Sequence, residues 1–353
     1  MGDLTNPKNI IVRMPNWVGD MVMATPIISD LRKAFPDAKI TAMCKNPLSE
    51  LLEEDQEIDE VFCFNKTSLF SRHSDRRNIL DKLQKGKYDL GILLTNSIST
   101  AWWFWQGKVE NRIGFNTKGR SYFLTHPVEF PENIKKQHLV TTYKKLLEPL
   151  GIPISDTSPR IFVSDKEIQL VRALLKQHGV SEDKIIVGIN PGATYGSAKC
   201  WLPERFRGIT KQLLEDKDVF VVYFGDLATA SLVKEICQGL SQRVINMAGL
   251  TSLRELAALL KICDVLLTND SGPMHIAAAL GTPVVALFGS TSPEITGPFR
   301  TGVVVQKPVE CSPCYQRTCP IDFRCMKKIE EQDVYGHIIA AIGRKKNKLS
   351  IRS

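Results

Sequence analysis

Three short segments of this chain end apolar runs and carry side chains able to do chemistry. In Pro15-Asn-Trp-Val-Gly-Asp20, Gly19 lets the backbone turn tightly or approach a ligand, and Asp20 falls where a helix should begin. A carboxylate there is either a helix cap or a general base aimed at a substrate hydroxyl. Asn190-Pro-Gly-Ala-Thr-Tyr-Gly-Ser-Ala-Lys-Cys-Trp201 offers backbone N–H groups around Gly192 and Gly196, hydroxyls at Thr194 and Ser197, and a cation at Lys199. That set suits a phosphate, or it is a plain glycine-rich turn; it is neither a dinucleotide fingerprint nor a P-loop. The third segment, Asn269-Asp-Ser-Gly-Pro-Met-His275, follows a strand and opens a helix that Gly281 ends. Ser271 or Gly272 caps it, Pro273 suits its first turn, and the N–H groups from Ser271 to Met274 favour an anion. Capping leaves Asp270 and His275 without a task, and a sugar hydroxyl would supply Asp270 with one.

Other candidates are less local. Cys311-Ser-Pro-Cys314, then Cys319 and Cys325, could hold zinc or iron–sulfur, but the second C-x-x-C of a zinc ribbon is missing. Arg72, Arg76, Arg77, Lys108, Arg112 and Arg120 form a basic group in the first half, with Trp102, Trp103 and Trp105 among them and Trp17 in the first loop. They suit an anionic partner, or a solvated face over a buried aromatic helix. Gly289-Ser-Thr-Ser-Pro293 ends a further strand and either floors a nucleoside pocket or is a polar turn.

The elements that must position these loops alternate. Apolar runs at Asn9–Met14, Lys39–Cys44, Glu60–Phe64 and Asp89–Leu94 predict strands, with helices between them, the first over Met21–Phe35. The pattern breaks over Pro127–Arg160 and resumes with strands at Lys184–Ile189, Asp218–Phe224, Val265–Thr268 and Pro283–Phe288. Strand–helix alternation on this scale means parallel sheets in two doubly wound, Rossmann-like α/β domains. The expected boundaries are 1–160 and 161–327, with a C-terminal helix over 328–346 packing back on the first domain. Hydrophobic residues make up 43% of the 353 residues and charged residues 24%, which excludes a disordered or fibrous chain. No apolar run is long enough to span a bilayer and Met1–Asn9 carries no signal core, so a cytoplasmic protein is expected. The formal net charge of +8 suits an anionic partner but lacks the dense basic track of a nucleic-acid binder.

Taken in order, the three loop motifs make the chain resemble glycosyltransferase family 9, the ADP-heptose:lipopolysaccharide heptosyltransferases, over nearly its whole length. The Trp-Val-Gly-Asp form of the first motif and the cysteine-rich segment are closer to the heptosyltransferase II subgroup than to I. The resemblance implies a GT-B fold, two Rossmann-like domains facing a central cleft, with the nucleotide-sugar on the second and the acceptor on the first. It implies inverting transfer of heptose from ADP-heptose to a heptose–Kdo2–lipid A core, with no cofactor and no required metal. By position Asp20 takes the base role and Lys199 the diphosphate contact. Thr194, Asp270, Ser271, Gly272, Pro273, Met274 and His275 fall on the donor side. Asp20, Trp17, Arg72, Arg76, Arg77, Arg112 and Arg120 fall on the acceptor side. The ribose contact stays open between Asp226 and Thr229. The subgroup accounts for the four cysteines without a cofactor. The acceptor is lipid-anchored and anionic, so a peripheral place at the cytoplasmic face of the inner membrane is expected. Alternatives are a family 9 enzyme of the I or III type with another acceptor or nucleotide-sugar, or an inactive nucleotide-sugar-binding protein. An oxidoreductase is disfavoured for want of a dinucleotide fingerprint.

Overall fold

A computed structural model of the chain describes residues 4–65, 73–132 and 136–350. Arg72 lies outside the described residues, as do the side chains of 73–75 and 344–350. The chain divides into two compact units, Met1–Phe162 and Val163–Ser353. Each holds one six-stranded parallel sheet.

In the first unit the strands are β1 (Asn9–Arg13), β2 (Lys39–Lys45), β3 (Glu60–Phe64), β4 (Leu90–Leu93), β5 (Asn111–Phe115) and β6 (His126–Val128). In the second they are β7 (Ile185–Asn190), β8 (Val219–Tyr223), β9 (Val244–Asn246), β10 (Val265–Asn269), β11 (Val284–Phe288) and β12 (Val303–Gln306). The spatial orders are β3-β2-β1-β4-β5-β6 and β12-β11-β10-β7-β8-β9, the same doubly wound order twice. Helices cover both faces of such a sheet, so its central strands are apolar without alternation. All of β7, β8, β10 and β11 is buried. In this order the chain reverses direction between β1 and β4, and between β7 and β10, and ligands collect outside the strand carboxyl ends at such points. The first and third sequence motifs, and the loop of Lys199, leave those strands.

Strands β5, β6 and β12 form where the sequence reading expects none. The predicted helix over Met21–Phe35 is two helices, Val18–Ala24 and Pro26–Ala34. Pro26 lacks an N–H and suits a first turn, so the chain restarts there, and the Thr25 hydroxyl donates to Val22 O at 2.8 Å. The C-terminal helix, Glu331–Ser350, belongs to the second unit. Val334, Ile338 and Ile342 recur every four residues, forming one apolar stripe, and are buried in the second unit's core with Phe206 and Ile209. Trp201 fixes the approach to that helix through Nε1–H, which donates to Ile329 O at 3.1 Å.

Candidate active site

At the end of β1 the chain passes through Pro15 into the helix Val18–Ala24. Its N-cap is Trp17, extended and without a side-chain capping bond. Asp20 sits in the first turn, three residues after the N-cap. The positive end of the helix favours a carboxylate at that place. Asp20 is half-buried. The helix Leu139–Lys144 packs against this one, and its buried Tyr143 has its phenol pushed well up, first by burial and then by the Asp20 charge. Trp17 is 54% exposed, available for contact. Below the loop, Arg13 is buried. It donates to Asn16 Oδ1 at 2.6 Å and stacks 4.7 Å from the Phe64 ring centre, which anchors the start of the motif.

The second unit is tied more tightly. Fully buried Asn269 accepts from Trp201 N–H at 3.0 Å and donates to Pro191 O at 2.7 Å, joining the loops that follow β7 and β10. Asn190 Nδ2 donates to Gly192 O at 3.0 Å and to Ser271 Oγ at 3.1 Å. These bonds bring Lys199, on the 3-10 turn Ser197–Lys199, to Asp270, with Nζ 2.5 Å from Oδ2. The two side chains are 13% and 4% exposed. The same oxygen accepts from the Thr291 hydroxyl at 2.7 Å and the Thr296 hydroxyl at 3.4 Å, and the Lys199 ammonium lies 4.9 Å from the Tyr195 ring centre. The sequence reading gives Lys199 and Asp270 separate tasks; the fold pairs them. Thr291, Thr296 and Tyr195 escape the sequence reading because hydroxyls in polar loops carry no distinctive spacing.

Beside this pair the helix Gly272–Ala279 begins. Ser271 is its N-cap, Pro273 stands in its first turn, and the leading N–H groups of a helix have no partner within it. The Ser271 hydroxyl makes no capping bond and is engaged instead with Asn190 and with Thr268 Oγ1 at 2.9 Å. The Met274 side chain is fully buried and His275 is 6% exposed.

Thr194 is exposed, and its hydroxyl is 3.4 Å from Asp226 Oδ2. Asp226 Oδ1 accepts from the Thr229 N–H at 3.0 Å and hydroxyl at 2.8 Å. Thr229 is therefore held in a turn, and its methyl would lie 2.7 Å from a Cβ at Gly192. Gly192 is small because Thr229 packs on it. The loop after β11 is no plain polar turn either: Ser290, Thr291 and Ser292 are all buried.

The basic group does not act as one. Arg112 donates from Nε to Phe123 O at 2.7 Å and from Nη1 to Glu110 O at 3.0 Å, with burial lowering its pKa. Arg120 is fully buried and donates to Phe115 O at 2.7 Å and to Thr95 O; burial pushes its pKa down to about 10. Both guanidiniums donate to backbone carbonyls around β5, and Arg120 Nη2 is buried with no hydrogen-bond partner among the described residues. Arg76 and Arg77 are exposed on the helix His73–Gly86. Trp103 is buried edge-to-face against Phe64, ring centres 5.6 Å apart, while Trp105 is 42% exposed.

The cysteine-rich segment lies against the Lys199 loop. Arg317 O accepts from Ala198 N–H at 3.0 Å, and the Tyr195 hydroxyl donates to Tyr315 O at 2.9 Å. A Cβ at Gly196 would strike Arg317 O, so only glycine permits that approach. The Cys325 thiol is pushed up by burial and further by the nearby Cys311, Cys319 and Cys314.

Residues 76–323 match the family model described as "Glycosyltransferase family 9 (heptosyltransferase)". The lipooligosaccharide heptosyltransferase 2 of Haemophilus influenzae is 28% identical over 315 residues, 86% of this chain and 89% of the relative. The lipopolysaccharide heptosyltransferase 2 of Escherichia coli K12 is 30% identical over 301 residues, 82% of this chain and 85% of the relative. The solved structure of E. coli ADP-heptose LPS heptosyltransferase II matches with a TM-score of 0.83 at 27% identity, over 96% of this chain and 99% of that one.

Proposed function

The chain belongs to glycosyltransferase family 9, and from that premise we propose that it is a heptosyltransferase II. It moves L-glycero-D-manno-heptose from ADP-heptose to the heptose–Kdo2–lipid A inner core, inverting the anomeric carbon without a metal at the diphosphate. The observation that carries this reading is the Lys199–Asp270 pair beside the start of the helix Gly272–Ala279. A diphosphate suits the helix start and Lys199, a sugar hydroxyl suits Asp270, and Asp226 beside Thr194 offers the ribose a carboxylate.

The chemistry follows from charge. When the anomeric carbon leaves ADP, negative charge grows on the β-phosphate. Lys199 turns from Asp270 to meet it, joined by the N–H groups of Gly272 and Met274. Charge-assisted bonds of this kind are worth about 1.5–3 kcal/mol each, enough for two or three to replace much of a divalent ion's effect. As Lys199 leaves, Thr291 and Thr296 keep Asp270 Oδ2 hydrogen-bonded. Asp20 takes the proton of the attacking acceptor hydroxyl. Arg76 and Arg77 attract the anionic acceptor, and the enzyme works at the cytoplasmic face of the inner membrane as a peripheral protein. Among the described residues no helix is long and apolar enough to cross a membrane.

The test is direct. Purified protein with ADP-heptose and a truncated heptose–Kdo2 acceptor should release ADP and give a product heavier by one heptose. Asp20→Ala should lose roughly 10²–10⁴ in turnover while ADP binding persists. Transfer from another nucleotide-sugar in preference to ADP-heptose would overturn the donor assignment, and normal turnover by Asp20→Ala would overturn the base.

A further inference from the structure

We propose that the cavity ringed by Cys311, Cys314, Cys319 and Cys325 is a site for one soft divalent metal ion, zinc(II) or iron(II), held by the four thiolates. The cavity is about 160 Å³ and all four cysteines line it, together with Ser290, Ala198 and Arg324. A second observation points to an occupant. Ser290 is 1% exposed, lies on the cavity wall, and its hydroxyl has no hydrogen-bond partner among the described residues. A buried hydroxyl left unpaired is costly, and a metal-bound thiolate is the acceptor it lacks. Asp322 also lines the cavity, but its carboxylate is paired with Arg324 at 3.0 Å, and four sulfurs select a soft cation in tetrahedral geometry over magnesium or calcium.

The local chain suits capture. Cys325 is buried on the short helix Arg324–Lys327, and a Cβ at Gly289 would lie 2.9 Å from its sulfur, so this ligand is fixed. The other three sit on a stretch without helix or strand. As they stand the thiols surround a space; among the described residues no three His, Cys, Asp or Glu side chains converge in a ligating array. Binding therefore draws the loop inward. The four thiols give up their protons to solvent as four metal–sulfur bonds form, leaving a net charge of −2 toward which the Ser290 O–H donates, with Arg324 on the wall in its pair with Asp322. The C-x2-C, x4, x5 spacing leaves short loops between ligands, which is compatible with one ion. The ion would also brace the reaction loops without touching substrate. Besides Arg317 and Tyr315 on the Lys199 loop, Tyr315 N–H donates to Ser290 O at 2.8 Å, next to Thr291.

This site stands apart from the transfer reading and is tested without it. The full-length chain is purified with no metal added and no chelator, and its metal content is measured. About one equivalent of zinc or iron per chain is expected, retained by Cys237→Ser and lost by Cys314→Ser and Cys319→Ser. Because those two variants could fail to fold, the unaltered chain is also stripped with chelator and titrated with cobalt(II). The expected result is the absorption of a tetrahedral tetrathiolate complex at one equivalent, with cobalt affinity falling about 10–100-fold in Ser290→Ala. A chain that carries no metal and gives only the spectrum of hydrated cobalt overturns the proposal. So does metal that stays bound in folded Cys314→Ser and Cys319→Ser.

Discussion

One oxygen of Asp270 accepts from Lys199, Thr291 and Thr296, and it is the shared point of the reaction loops. Thr291→Val removes the shorter hydroxyl bond, so Asp270 relies more heavily on Lys199 and holds it back from the diphosphate. The KM for the nucleotide-sugar should rise about 3–10-fold, the worth of one hydrogen bond, with kcat nearly unchanged. Thr291→Ser should restore it, and a fall in kcat with unchanged KM would contradict the standby role. Arg120→Met should behave quite differently. Its carbonyl partners are at Phe115 and Thr95, so the expected loss is about 2–3 kcal/mol of stability in urea unfolding, with acceptor KM unmoved in the folded fraction. At this scale the sequence reveals residue types but not pairing. Asp270 and Lys199 are 71 positions apart and meet because β7 and β10 are neighbours, a fact of sheet order that spacing does not carry. Arg120 reads as a surface charge because arginine is seldom buried, and the Phe115 and Thr95 carbonyls overrode that preference here.

Elements were legible where period and punctuation agree. Most strands stand out as apolar runs because both faces are covered, whereas β5, β6 and β12 were not expected, and Pro26 explains the one predicted helix that forms as two. The core that buries the C-terminal helix was not legible, because an amphipathic stripe shows that a face is buried but not against what. A third contact at this scale, between the helices Asp165–Gln177 and Leu253–Ile262, gives a pH prediction. Arg254 donates to Glu167 at 2.5 Å and 2.7 Å, and Glu167 also accepts from the Ser164 N–H and hydroxyl, both at 2.8 Å. The Arg254 bond foremost holds the Glu167 carboxyl down at about 2, against an ordinary 4.5. A depressed carboxyl stabilises the fold fully above its unfolded pKa, and that stability is lost as pH falls toward the folded value. The bridge should therefore contribute on the order of 2–3 kcal/mol at neutral pH, declining between about pH 4.5 and about pH 2. Urea unfolding of the unaltered chain and Glu167→Gln should show a gap that narrows through this range. A gap constant from about pH 6 to about pH 3 would mean the bridge carries no such linkage.

Across the whole molecule, each unit holds a hydrophobic cluster drawn from its own residues. Ile11, Phe62, Leu83 and Phe104 belong to the first; Trp201, Phe206, Leu267 and Ile338 belong to the second. The two sheets repeat one strand order, yet no repeat shows in the sequence, because topology is conserved by buried apolar character rather than by particular residues. Separate cores make the units separable in their response to ligand. The proposed ADP contacts, Thr194, Lys199, Asp226 and the helix start at Ser271–Met274, all lie in Val163–Ser353. A ligand that binds only the folded form of one unit stabilises it by about 2.7 kcal/mol at one hundred times its Kd. Saturating ADP should therefore slow amide exchange in 190–201 and 269–275. The deeper amides of β10 and β11 should follow, because their exchange requires the second core to open. Amides of β1 and β4 belong to the other core and should exchange at unchanged rates. Equal protection in β1 and β10 would show that the nucleotide is not held by the second unit alone, and the assignment of Lys199 and Ser271 as its principal contacts would fall with it.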